Sequence, residues 1–334
     1  MTRSTPRTSP SRSAHPVLLL TFLIVLASAP AFAAGPEATF DRALTFSGTP
    51  TVTISTGSGY IHISPGSDGQ FHVVGHVRAN PGLFSMGDDE ARVKQIAANP
   101  PITQTGSIIT VGRYHGDDDL FRNISIDYDV TTPRSTLLTA HTGSGEIQAD
   151  GVGPNSRFST GSGSIHATHI PGPTTLETGS GPITLTLSGP GDLKVHTGSG
   201  SIHVEGLSGA LQAGTGSGSI QIAGTPTADW RLSAGSGSIR LSVGSNPRFT
   251  LEASTGSGSI HVDEPIFMQG TINRHRVTGT VNGGGPTIRA STGSGDITIN
   301  GSATAAQLSG SGSLHVPGAT DCVDSPSQPA CAHR

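Results

Sequence analysis

The chain has 334 residues, with 47 Gly and 23 Pro, only 4% aromatic and 13% charged residues, and a formal net charge of −4. That composition is short of the Leu, Ala, Glu and Lys that helical bundles and doubly wound α/β domains need, and it is not the charge-rich composition of a disordered chain. With only the lysines Lys94 and Lys194 and no basic run, the sequence argues against nucleic acid as a partner.

The N-terminus carries Arg3, Arg7 and Arg12, then an apolar run from Val17 to Ala27 and the stretch Ala31-Phe32-Ala33. A positive segment, a short apolar segment and an A-x-A site are the layout of a secretory signal peptide, expected over residues 1–33. The run is 11 residues long, against the roughly 20 needed to span a bilayer. No second apolar stretch approaches that length, so no integral membrane segment is expected after cleavage.

A first repeat is expected at residues 34–64. It carries the tripeptide Gly-Ser-Gly at Gly57, which recurs at Gly143, Gly161, Gly179, Gly198, Gly216, Gly235, Gly256, Gly293 and Gly310. From Gly143 to Gly256 the steps are 18, 18, 19, 18, 19 and 21; the next, to Gly293, is 37. The long step predicts one copy without its signature near Arg274-His275-Arg276.

Between the first and second triplets, residues 65–137 break the phase. Phe71–Arg78 alternates like a strand. Asp88–Ala98 reads as a short helix with Val93, Ile96 and Ala97 on one face. Ile108–Val111 and Ile124–Val130 read as strands around the acidic loop Asp117-Asp118-Asp119. The segment is expected to form wider, irregular coils with a capping role.

Over residues 138–316 each copy follows one pattern. Counting the residue before the triplet as zero, apolar residues sit at −4 and −2, as in Leu193 and Val195. They recur at +5 and +7, as in Ile202 and Val204. This makes two short strands, each with one buried face. The parity switches across Gly-Ser-Gly, which a continuous strand cannot do. The triplet is therefore a corner, expected to exploit glycine's tolerance of positive φ. Gly/Pro clusters such as Pro171-Gly-Pro173 and Gly189-Pro-Gly191 mark a second corner. Identical residues at identical phase predict stacking in register: an all-β, single-stranded β-solenoid with 18–19-residue coils.

The tail, residues 317–334, holds both cysteines. Cys322 and Cys331 read as a disulfide closing a small terminal loop, the usual state of a close pair in an exported protein.

The pattern resembles a family. Ser-Ile-Asp-Tyr-Asp-Val-Thr-Thr-Pro133, the entry Leu137-Leu-Thr-Ala-His-Thr-Gly-Ser-Gly145-Glu-Ile147, the serial Thr-Gly-Ser-Gly-Ser-Ile units and Val277-Thr-Gly-Thr-Val-Asn-Gly-Gly-Gly285 look like the bacterial putative-adhesin family of exported β-strand-repeat proteins. The resemblance covers about Phe40 to Val316. It implies an exported β-solenoid without an established catalytic site.

Four constellations invite chemistry. His62, His166, His203, His261 and His315 share an outward position, but Thr184, Gln221 and Arg240 intervene, and histidines about 9–10 Å apart cannot share one metal. The threonine column, Thr142, Thr160, Thr178, Thr197, Thr215 and others, continues the inward set. It reads as a corner hydrogen-bond ladder rather than an ice-binding face. A serial calcium roll needs an Asp in every turn, and only Glu146 and Asp296 occupy that offset. Asp127 and Asp129, near Asp117–Asp119, are the one paired-carboxylate candidate, read first as a solvated acidic hairpin. No G-x-S-x-G, H-E-x-x-H or phosphate loop occurs. No catalytic, cofactor or metal residue is assigned. The expectation is a non-enzymatic binding scaffold, periplasmic, cell-surface or secreted, facing a surface, glycan or protein ligand. The alternative is a polysaccharide lyase or hydrolase on the same β-helix.

Overall fold

A computed structural model of the protein describes residues 36–80, 88–112, 119–262 and 268–301. Residues 1–33, expected as a signal peptide, and Asp117, Asp118, His315, Cys322 and Cys331 lie outside the described residues.

In chain order, β1 (Glu37–Thr45) precedes the first glycine-triplet coil, β2 (Thr51–Thr56) and β3 (Ile61–Pro65). Next come β4 (Gln70–Ala79), α1 (Asp89–Ala98), an antiparallel hairpin of β5 (Ile102–Thr105) and β6 (Ile108–Gly112), and β7 (Ile124–Thr132). The regular coils follow as strand pairs joined by a triplet. They are β8 (Leu137–Thr142) with β9 (Ile147–Asp150), β10 (Asn155–Thr160) with β11 (Ile165–Ile170), and β12 (Thr174–Thr178) with β13 (Ile183–Leu187). Then come β14 (Leu193–Thr197) with β15 (Ile202–Ser208), β16 (Leu211–Thr215) with β17 (Ile220–Thr225), and β18 (Trp230–Ser236) with β19 (Ile239–Val243). The described chain closes with β20 (Phe249–Ser257) and β21 (Ile260–Val262), the hairpin β22 (Met268–Asn273) and β23 (Arg276–Val281), and β24 (Thr287–Ser294) with β25 (Ile297–Gly301).

Among the described residues, the second strands of the coils together with β1, β4 and β7 form a 12-stranded sheet, A, and the first strands together with β5, β6, β22 and β23 a 13-stranded sheet, B. The fold is thus the all-β solenoid read from the phase. Ile147, Ile165, Ile183, Ile202, Ile220 and Ile239 are direct cross-strand neighbours in sheet A. All are buried between the sheets. Each contributes about 1.5–3 kcal/mol of apolar burial, which no single coil could provide without the next one stacked on it.

The corner works by a different device from the expected one. The triplet glycines from Gly143 to Gly237 do not lie in the left-handed region. Their requirement is close approach. A Cβ on Gly163 would sit 1.8 Å from the Gly145 carbonyl oxygen, and one on Gly161 would sit 2.4 Å from the Gly143 oxygen. Positive φ belongs instead to the second corner, at Gly151 (59°), Gly153 (81°) and Gly206 (76°). The threonine column is buried and forms the expected ladder. Thr160 Oγ1 donates to the Gly145 oxygen of the preceding coil at 2.9 Å and accepts the N–H of its own Gly163 at 3.1 Å. Thr178, Thr197 and Thr215 repeat the arrangement.

The coils do not stack in simple chain order. Sheet B runs β16–β18–β24–β20–β23–β22, so the last described coil lies between two earlier ones. Trp230, Ile288 and Leu251 are successive neighbours across that insertion. The segment around Arg274–Arg276, expected as a degenerate coil, is the turn of the β22–β23 hairpin. The Asn273 side-chain oxygen accepts the N–H groups of His275 and Arg276 at 3.1 and 2.7 Å, and β23 pairs antiparallel with β20. At the other end the β2–β3 coil lies between β6–β7 and β8–β9. There sheet A ends in antiparallel β7, β4 and β1, and α1, with Val93 and Ile96 buried, packs on β1 and β4.

Candidate ligand-binding trough

The carboxylates singled out by sequence are held in structural contacts. Asp127 is buried, accepts the Tyr60 backbone N–H at 3.0 Å and pairs with Arg78. Asp129 accepts the Tyr60 hydroxyl at 3.1 Å and lies 3.4 Å from His62 Nδ1 and 3.3 Å from His76 Nε2. Tyr60 stacks on His62. Burial, then the Asp129 hydrogen bond, push its phenol up to about 12. The Asp119 backbone oxygen accepts from the Arg92 guanidinium at 2.9 Å and from the Arg122 N–H at 3.4 Å. Among the described residues, no group of three or more His, Cys, Asp or Glu side chains is placed to hold a metal ion.

The histidine column is spaced as the phase implies. His166 has Gln148 and Thr184 as neighbours, and His203 has Thr184 and Gln221. His261 is next to Thr298 of β25, a further consequence of the inserted coil. Asp296, one of the isolated acidic residues, accepts both the N–H and the hydroxyl of Ser259 at 2.8 Å, which lowers its pKa.

A broad concave feature lies on the outer face of sheet B, where the sequence offered no candidate. An open cavity of about 830 Å³ extends over β14, β16, β18, β24, β20 and β23. Strand alternation puts two outward rows there. The first reads Lys194, Gln212, Arg231, Arg289, Glu252, Thr278 in cross-strand order. The second reads His196, Gly214, Ser233, Ser291, Ser254, Arg276. The second row is thus a floor of small residues between two cationic or protonatable ends. Long polar side chains of the first row stand along one side. Any side chain at Gly214 would meet the His196 ring, 2.9 Å from a Cβ there, so the imidazole rests over that end of the floor.

The trough is basic in a chain whose net charge is negative. Four cationic side chains line it, Lys194, Arg231, Arg276 and Arg289, against the single carboxylate of Glu252. Arg289 forks onto Glu252 at 2.8 and 3.3 Å. Arg231 and Lys194 are only loosely balanced, at 3.9 Å from Asp229 and 4.0 Å from Glu177. Exposed pairs of this kind contribute roughly 0–1 kcal/mol and leave the cations available. Arg231 and Arg289 are direct cross-strand neighbours, an arrangement that costs stability through like-charge repulsion.

The model of the family Toastrack DUF4097 matches residues 102–300, more than half of the chain. The chain belongs to this family. It is a putative-adhesin family of unknown function, as the sequence resemblance implied. Three solved structures are similar to this Toastrack chain, each over 79% of its length. One is a putative adhesin from Bacteroides fragilis, 14% identical, covered over 97% of its own chain with a TM-score of 0.43. Another is a putative cell adhesion protein from Clostridium sporogenes, 11% identical, covered over 100% with a TM-score of 0.24. The third is a putative lipid binding protein from Parabacteroides distasonis, 14% identical, covered over 97% with a TM-score of 0.30. The comparison with curated proteins returned no match. Among the described residues, no helix of the Toastrack chain is long and apolar enough to cross a membrane.

Proposed function

We propose that this Toastrack protein is an exported, non-enzymatic binding scaffold whose outer sheet-B face engages an extended ligand. The observation that carries the reading is the trough itself: a shallow face built from in-register strands, with long polar side chains beside a floor of Gly214, Ser233, Ser291 and Ser254. Among the described residues one carboxylate lines it, that of Glu252, and it is engaged by Arg289. Glycoside hydrolysis needs two carboxyl groups flanking one bond, and this face supplies a surface for contact rather than such a pair. Export rests on the basic, apolar and Ala-Phe-Ala order of residues 1–33.

A glycan array combined with reducing-sugar and unsaturated-product assays tests the reading. The scaffold predicts retention of a glycan without product. Turnover of any retained glycan would establish the lyase or hydrolase alternative instead. Mass spectrometry of the exported protein is expected to find a chain beginning near Ala34; a retained Met1 would contradict export by signal cleavage.

A further inference from the structure

We infer that the sheet-B trough recognises a linear polyuronate, an acidic polysaccharide laid along the solenoid axis across the strands. The inference rests on the scaffold reading above and deepens it by assigning the chemistry of the ligand.

Three features select that chemistry. The first is charge: four cations line the face against the carboxylate of Glu252, with Asp229 and Glu177 at its rim, 3.9 Å from Arg231 and 4.0 Å from Lys194, in a chain with net charge −4, so the face favours an anionic ligand. Three of the four are arginines, whose planar fork matches carboxylates better than the point charge of a lysine does. The second is the direct juxtaposition of Arg231 and Arg289, which costs the free protein stability and is relieved when an anion lies between or above them. The third is the floor. Ser233, Ser291 and Ser254 occupy one row on adjacent strands. Ser233 and Ser254 offer hydroxyls that both donate and accept, and Ser291, whose hydroxyl donates to the Leu232 oxygen at 3.5 Å, offers an acceptor, as sugar hydroxyls require.

Geometry sets the run of the ligand. Successive strands are roughly 4.8 Å apart, close to the repeat of one pyranose in an extended chain. From β14 to β23 the face crosses five such steps, roughly 24 Å. Cations stand at both ends and in the middle of this span, Lys194 on β14, Arg231 and Arg289 on β18 and β24, and Arg276 on β23. Among the described residues no Phe, Tyr or Trp lines the trough, whereas single-stranded nucleic acids are held by stacking on such platforms.

The test uses the mature protein, with polygalacturonate, neutral dextran and single-stranded oligo-dT as probes in calorimetry at two salt concentrations. The double variant Arg231→Glu/Arg276→Glu is compared with Arg240→Glu, an exposed arginine on sheet A. The expected result is binding of polygalacturonate that weakens with salt, falls about tenfold or more in the double variant and stays within about twofold for Arg240→Glu, with both variants folded at the assay temperature. Dextran is expected not to bind. Equal binding of dextran, preference for oligo-dT, no binding of polygalacturonate, or equal losses in the two variants would each overturn the inference. The two readings fail separately. Should protection mapping place a neutral glycan in the trough, the polyuronate assignment fails and the scaffold stands. Should polygalacturonate be cleaved, the scaffold reading fails.

Discussion

Replacing Gly200 by alanine tests how the corner is built. A Cβ there would lie 1.8 Å from the Gly181 oxygen, 2.4 Å from its carbonyl carbon and 2.9 Å from Pro182 N, all backbone atoms. Non-bonded contact settles near 3.5 Å, so the two coils must part locally by more than about 1 Å. That displacement breaks the Thr197 hydroxyl bond to Gly181 (3.0 Å), the bond from Ile183 N–H to the Ser201 oxygen (2.9 Å) and the bond from Gly198 N–H to the Thr178 oxygen (3.2 Å). At about 1 kcal/mol each, the loss is about 3 kcal/mol, or about 6–12 °C in melting temperature. Ser199, exposed between the two glycines, provides the control; Ser199→Ala should stay within about 0.5 kcal/mol. Gly200→Asn should be as damaging as Gly200→Ala, because the obstacle is a neighbouring carbonyl and not a left-handed φ. Differential scanning calorimetry of the three variants decides the matter. Equal melting of Gly200→Ala and Ser199→Ala, or clear tolerance of Asn over Ala, would refute the close-approach argument.

Other consequences follow from the same contacts. Thr197→Val keeps the shape and removes the hydroxyl that serves Gly181 and Gly200; urea denaturation should show a loss of about 1–3 kcal/mol, and an unchanged midpoint would remove the ladder from the account. Ile220→Asp buries an unpaired carboxylate and should cost several kcal/mol, while Gln221→Asp on the outer side should be nearly silent; similar thermal shifts would mean the assigned strand parity is wrong. The buried Tyr128 hydroxyl has no hydrogen-bond partner among the described residues, so Tyr128→Phe should leave stability equal or raised by about 1 kcal/mol, and a marked loss would reveal a partner. The hydrogen bond from His169, with a second from Thr168, holds the Asp150 carboxyl below its ordinary value. A depressed folded-state pKa contributes stability above the unfolded value that is lost as pH falls through the folded one. Asp150→Asn should therefore be less stable than wild type at pH 7 and converge with it in acid, and a gap that does not change with pH would contradict this.

The solenoid was legible because stacking converts a physical requirement into a phase. Ile220 must meet Ile202 and Ile239, so the same residue type recurs at the same offset, and the inward side of Thr197 could be read by counting. The reason for the glycines was not legible. A residue that accommodates a neighbouring coil's carbonyl and one that adopts positive φ are the same letter, and only the contact of Gly163 with Gly145 separates the two causes. The trough was hidden for a topological reason. Lys194, Arg231, Glu252 and Arg289 all stand three positions before the residue that opens the triplet corner, so their shared outward column was available from the phase. Chain order, however, puts the 249–262 coil after Arg231, whereas in space the 287–301 coil comes between them. Nothing in the local sequence of β20 records the vacant place that β24 fills, and the Arg274–Arg276 hairpin occupies about one repeat of sequence without a Gly-Ser-Gly. The basic face therefore depends on long-range order that periodicity alone does not encode.

That order is open to a direct measurement. In a Cys322→Ser/Cys331→Ser background, Ser233→Cys paired with Ser291→Cys places two thiols on adjacent strands in register, within the roughly 4.4–6.8 Å Cα separation that a disulfide accepts. Ser233→Cys paired with Ser254→Cys places them on either side of β24, roughly 10 Å apart. Under mild oxidation, intact-mass and peptide mapping should find the 233–291 disulfide at high yield and no 233–254 disulfide. The opposite pattern would mean that the coils stack in chain order and that the basic face does not exist as described.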